Sequence, residues 1–241
     1  MAYRTYIHKL DNDSLLQIFS HYRLNNETNW SLQLTWRNLA HVCRRWRYLI
    51  YNSWSHLDMC LLLTNESPSI ATLSHLPPLP LVIDYSDTRA RTKARKDEDN
   101  ISHGLQWHGH VRQATIRAPS SSLREWLKLM NKPFPRLRDL SLSSTTTEIN
   151  MTLPETLQAP DLRCLSLHGI GLPIGLPLLP SMITLSTLSL THIGASSYFS
   201  PGRLVAQLRG LAYLEELSIG FAIPIPLQVT SESCYLHRFH L

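Results

Sequence analysis

The side chains of this 241-residue chain best suited to chemistry are its twelve histidines, four cysteines and the serines of its second half. His103, His108 and His110 are the densest imidazoles, gathered around Trp107 and Gly109, and three imidazoles could hold zinc. No cysteine stands near them and no carboxylate falls among them, so they read as an exposed or half-buried turn and no metal is expected. His8, His21 and His41 read as packing or surface positions. Cys43, Cys60, Cys164 and Cys234 are too far apart for a C-x-x-C metal or redox motif, and too few for a disulfide scaffold. Asp97 and Asp99 could share acid–base work, but they sit in a charge run with no apolar setting to raise a pKa. There is no G-x-S-x-G, no H-E-x-x-H, no phosphate-binding glycine loop and no dinucleotide fingerprint. Neither catalysis by this chain alone nor a cofactor is expected.

Composition narrows the field further. Apolar residues make up 43% and charged residues 17%, which excludes a wholly disordered chain. Leucine alone occurs 43 times, against 9 glycines and 15 prolines. The net charge is +5, mild and scattered over the first half, whereas a nucleic-acid binder concentrates positive charge on one face. Residues Met1–Ser14 carry Arg4, Lys9, Asp11 and Asp13 with no apolar core, unlike a signal peptide. No apolar run approaches the roughly 20 residues that span a bilayer. The expectation is an intracellular protein, cytoplasmic or nuclear, binding neither membrane nor nucleic acid.

The first sixty residues read as helices. Asp11 and Asp13 can cap a helix start, and Leu15, Ile18, Phe19 and Tyr22 then fall on one face. Residues 24–34, rich in Asn, read as a loop. A second helix is expected from about Trp36 to Tyr51, with Trp36, Leu39, Ala40, Cys43, Trp46 and Ile50 in steps of three or four and Val42 and Leu49 widening the apolar surface. Arg44, Arg45 and Arg47 read as its solvated face. A helix apolar on more than one side needs more than one partner surface.

The string from Leu10 to Phe19, followed by Leu39-Ala-His-Val42-Cys43-Arg44-Arg45-Trp46-Arg47-Tyr-Leu49-Ile50 and Ser53-Trp54-Ser-His-Leu57, resembles an F-box. That family's pattern is Leu-Pro, then Leu-x-x-Ile-Phe, then Val-Cys-Arg-x-Trp-Arg-x-Leu-Ile, with a trailing Trp-x-x-Leu. Asp11 stands where the family has Pro, and the loop between the halves is longer. Both departures are familiar in the expanded F-box-like families of mushroom-forming fungi, to which the chain is similar along most of its length. The resemblance implies docking on a Skp-type adaptor, and through it on a cullin, by Leu10, Asp11, Leu15, Leu16, Ile18, Phe19, Val42, Cys43 and Trp46. Some of these must be the domain's own core.

Further on the grammar changes. Leu79–Tyr85 reads as a strand, and Thr88–Asn100 as a charged loop or short solvated helix. Leu-x-x-Leu-x-Leu then recurs at Leu137/Leu140/Leu142, Leu162/Leu165/Leu167 and Leu185/Leu188/Leu190, with Leu214/Leu217/Ile219 a close copy. Weaker copies lie at Val111/Ala114/Ile116 and Leu236/Phe239/Leu241. Periods of 20–29 residues are the leucine-rich-repeat signature: one short strand per repeat, stacked so that neighbours bury what none can bury alone. Between strands, Ser122 to Glu125 reads as a capping box before Leu123, Trp126, Leu127 and Met130 on one helix face. Ser200-Pro201 reads as N-cap and first residue of a helix carrying Leu204, Leu208 and Leu211, with Gly210 ending it. The Pro-rich connections 153–160 and 172–181 read as extended or 3-10 turns.

In four successive copies the residue between the last two anchors is serine: Ser141, Ser166, Ser189 and Ser218. Stacked strands would align them in a row, either as small solvent-facing hydroxyls or as the floor of a groove for a protein target. Arg117, Asp139, Ser143, Cys164, His168, Thr187, Thr191 and Glu216 would flank it, with Gln113 and Thr115 extending it. The expected architecture is α/β: a small helical F-box over residues 5–62, a connecting segment with one strand over 63–104, and a leucine-rich-repeat-like solenoid over 105–241. The solenoid would have a parallel concave sheet and an irregular or helical convex side, and it is expected to be incomplete at its C-terminus. The expected function is substrate recognition for a cullin–RING ubiquitin ligase. The alternative is a non-catalytic scaffold whose F-box-like helices only cap the solenoid.

Overall fold

A computed structural model describes residues 6–24, 35–57, 59–64, 79–87, 94–146, 151–173, 179–194, 197, 201–222 and 239–240. The chain forms two compact units, one of Met1–Leu62 with Ser74–Pro80, the other of Leu63–Leu73 with Leu81–Leu241.

In the first unit a 3-10 turn, Tyr6–Lys9, precedes α1 (Asn12–Leu24), α2 (Thr35–Val42) and α3 (Arg44–Asn52). Asp11 caps α1, its Oδ1 accepting from the Ser14 backbone N–H at 2.7 Å. Leu15 and Phe19 are buried, but Ile18 is not, so the apolar stripe of α1 is narrower than its periodicity suggests. The side chain of Tyr22 and the residues 25–34 lie outside the described set.

The single helix expected over 36–51 is two. Cys43 leaves helical geometry (φ −157°, ψ 171°) and caps α3, its Sγ accepting from the Trp46 N–H at 3.5 Å. Arg47 Nε donates to the Ala40 carbonyl at 3.0 Å, a carbonyl that a continuous helix would have paired within its own ladder. Arg45 is not a solvated face residue either. Its Nη2 donates to the Leu10 carbonyl at 2.6 Å and to Asn12 Oδ1 at 2.9 Å, tying α3 to the start of α1.

The second unit, which begins within the first strand, is built on a sheet whose eight strands follow chain order. They are β1 (Leu61–Thr64), β2 (Leu81–Ser86), β3 (Val111–Ala118), β4 (Asp139–Ser144), β5 (Cys164–His168), β6 (Thr187–Ile193), β7 (Glu216–Phe221) and β8 (Phe239–His240). β2 through β7 pair in parallel. The leucine triplets place one strand per repeat, as the periodicity requires, with Leu140, Leu142, Leu165, Leu167, Leu188 and Leu190 all at most 2% exposed. Three features depart from expectation. β1 is a strand that begins inside the span expected to be helical, 5–62. The last copy does not extend the parallel array: β8 pairs antiparallel with β7, Leu217 against Phe239. Leu236 and Leu241 fall outside the described residues.

The third departure is α4 (Ala94–Gln106), in place of a charged loop or short solvated helix. Ile101 and Leu105 are fully buried, and a Cβ on Gly104 would stand 2.8 Å from Leu63 Cδ2, so the helix lies close on the strands because that residue has no side chain. Within the segment expected to connect, β2 and α4 belong to the sheet unit, while Ser74–Pro80 belongs to the first unit. The next helix, α5 (Ser120–Leu129), starts at Ser120, two residues before the expected cap. Pro119 precedes it with no side-chain cap; Thr146 Oγ1 from the following repeat accepts the Ser120 N–H at 3.2 Å instead. Ser122 lies inside the first turn and donates to Glu98 Oε1 at 3.1 Å. Leu123, Trp126, Leu127 and Met130 are buried as the stripe demands, Trp126 meeting Tyr85 edge-on at 5.3 Å. Of the Pro-rich connections, the first makes an isolated bridge at Gln158 and the second ends in a 3-10 turn at Leu179–Ser181, while Thr152 and Gly171, one residue before each, bridge to one another. The last helix, α6, spans Pro201–Leu208; its expected cap, Ser200, lies outside the described residues.

Candidate functional site

The nine motif positions of the helical unit divide by burial. Leu15 and Phe19 are core, Phe19 packing edge-on against the Trp46 indole with ring centroids 4.8 Å apart. Leu10, Leu16, Cys43 and Trp46 are half-buried, and Asp11 is exposed. Hydrogen bonds from Ser14, chiefly its backbone N–H, hold the Asp11 carboxyl below its ordinary pKa. Ile18 and Val42 are apolar yet 46% and 59% exposed. Ile7 and Tyr48, which the motif does not single out, are also exposed; nothing in their spacing marks them.

In the sheet unit, register brings the polar positions together. Thr115, Ser141, Ser166, Ser189 and Ser218 form one continuous row, each directly paired with the next. The buried leucines alternate with them, so the serines share the opposite, polar face. A second row runs Gln113, Asp139, Cys164, Thr187, Glu216, and a third Arg117, Ser143, His168, Thr191. All of the expected target-binding positions therefore lie on this one face.

The rows are locally coupled. Burial, reinforced by a hydrogen bond to the Asp139 carboxylate and its charge, pushes the Cys164 thiol up and keeps it protonated. His168 Nδ1 lies 3.0 Å from Thr191 Oγ1, and its ring sits 4.5 Å from that of His192. Burial first, then the charges of His192 and Arg117, hold the His168 imidazole below its ordinary value. His192 has a φ of 53° at the irregularity where β6 shifts register against β7. Sequence reasoning missed His192 because a strict alternation puts it on the buried side; the bulge turns it out.

The other histidines do not converge. His103 Nδ1 bonds the Asp99 carbonyl at 2.7 Å, and His108 Nδ1 the Pro133 carbonyl at 2.7 Å. Among the described residues no group of three His, Cys, Asp or Glu side chains could hold a metal ion, and no helix is long and apolar enough to cross a membrane. The two surfaces offer contact chemistry: exposed aliphatic side chains on one unit, a hydroxyl-rich ordered face on the other. No family model, curated protein or solved structure matches the chain.

Proposed function

We propose that the chain is a substrate-recognition subunit of a cullin–RING ubiquitin ligase, docking on a Skp-type adaptor through its F-box-like helices and holding a target protein on a leucine-rich-repeat-like sheet. The observation that carries the reading is the exposure of Ile18 and Val42 at motif positions, on helices whose other motif residues, Leu15 and Phe19, are core. Two exposed aliphatic side chains at these places are what a docking face needs. The alternative, a non-catalytic scaffold whose F-box-like helices only cap the solenoid, requires no adaptor binding. Such a subunit breaks no bond. It raises the effective concentration of target lysines near the ubiquitin thioester. The hydroxyl row suits a polar peptide surface, with Asp139, His168 and Glu216 beside it supplying charge and direction. The test is capture of a purified Skp-type adaptor by the chain, with the double variant Ile18→Asp/Val42→Asp as the control that should not capture it.

A further inference from the structure

Just before the polar face begins, each repeat places one residue at the strand entry, and backbone hydrogen bonds join these residues into a ladder. The Arg138 N–H donates to the Arg112 carbonyl at 2.8 Å, Arg163 to Arg138 at 2.7 Å, Ser186 to Arg163 at 2.8 Å and Glu215 to Ser186 at 2.8 Å. Three arginines thus occupy equivalent places on adjacent parallel strands, about 4.8 Å apart. Arg138 and Arg163 are exposed, and neither side chain has a hydrogen-bond or ion-pair partner among the described residues. Arg112 is half-buried and has an interaction of its own, so the open pair is Arg138 and Arg163, two like charges on adjacent strands with the single Asp139 carboxylate nearby.

We propose that Arg138 and Arg163 form a docking site for an acidic segment of a partner protein, laid across the entries of β4 and β5. Guanidinium groups suit carboxylates because their fork of donors matches two oxygens at once. The ladder ends in neutral Ser186 and acidic Glu215, with Glu216 beside it. That reversal favours a short acidic stretch over a nucleic acid, whose uniform phosphates would meet the glutamates. The inference rests on the receptor reading for its biological meaning, since it names the class of segment the sheet unit would hold.

The test is fluorescence anisotropy of the full chain with a labelled decaglutamate peptide, and with a labelled single-stranded oligonucleotide in a parallel arm. Saturable peptide binding is expected, weakened by salt and reduced about tenfold or more by Arg138→Glu/Arg163→Glu, while Arg209→Glu leaves it near the parent value. The altered side chains are exposed, so thermal melting should be unchanged and serves as the folding control. No saturable peptide binding, equal binding by all variants, or tighter binding of the oligonucleotide overturns the proposal. Adaptor capture, measured on the same variants, should be unaffected by the arginine changes, so failure of the ladder and failure of the receptor reading are told apart.

Discussion

Phe19 and Trp46 meet edge to face, ring centroids 4.8 Å apart and planes 62° from each other, joining α1 to α3. The contact makes the second half of the motif a structural partner of the first. Trp46→Ala should therefore cost stability before it costs binding. Phe19 is 3% exposed but Trp46 is only half-buried, so the loss should fall at or below the low end of the ~3–5 kcal/mol seen for buried aromatics. Urea denaturation checks it. A melting curve identical to the parent would show that the pair is not a structural joint.

The leucine ladder carries a larger share. Leu165 is fully buried between Leu140 and Leu188 on adjacent strands. Leu165→Ala should destabilise the sheet unit by about 2–5 kcal/mol through lost burial and a residual cavity. Ser166→Ala, one residue on and on the polar face, should change stability little. Equal losses for the two would mean that the faces are misassigned.

Gly171 is predicted to tolerate no side chain. A Cβ there would run into the Cβ and Oγ of Ser197, whose hydroxyl is buried with no partner among the described residues. The Gly171 N–H and carbonyl are also both used, to the Met151 carbonyl at 2.7 Å and from the Leu153 N–H at 3.0 Å, so the backbone has little room to yield. Gly171→Ala should lower the melting temperature clearly, and pairing it with Ser197→Gly should recover part of the loss.

His168 gives a pH signature. Its imidazole is held below the ordinary value of 6.5, so the folded state prefers it neutral. The stability it contributes is complete above that ordinary value and is lost as pH falls through the lowered folded one. Urea denaturation at steps from about pH 7.5 to about pH 5 should show the parent losing more stability than His168→Gln. Parallel pH profiles for the two would contradict the assignment.

The sheet was legible because its physics is periodic. A leucine triplet every 20–29 residues declares an inward face, and parallel register then aligns Ser141, Ser166, Ser189 and Ser218 without further information. Elements outside the period were harder. β1 shows three consecutive buried leucines, Leu61, Leu62 and Leu63, a run with no alternation to distinguish strand from helix. α4 begins in a charge run, and the apolar residues that seat it, Ile101 and Leu105, come only in its second half. The break at Cys43 carries no Gly or Pro; a thiol caps the new helix and an arginine takes up the carbonyl left behind. Of the motif positions, the sequence pattern grouped Leu15 and Ile18 on one face, and only packing separates the core residue from the exposed one.

The central claim is adaptor docking, and isothermal titration of the full chain with a purified Skp-type adaptor tests it most directly. The account predicts saturable one-to-one binding by the parent and a loss of about tenfold or more for Ile18→Asp/Val42→Asp, with melting unchanged because both side chains are exposed. A folded parent chain that binds no adaptor, or a double variant that binds as tightly as the parent, would contradict it.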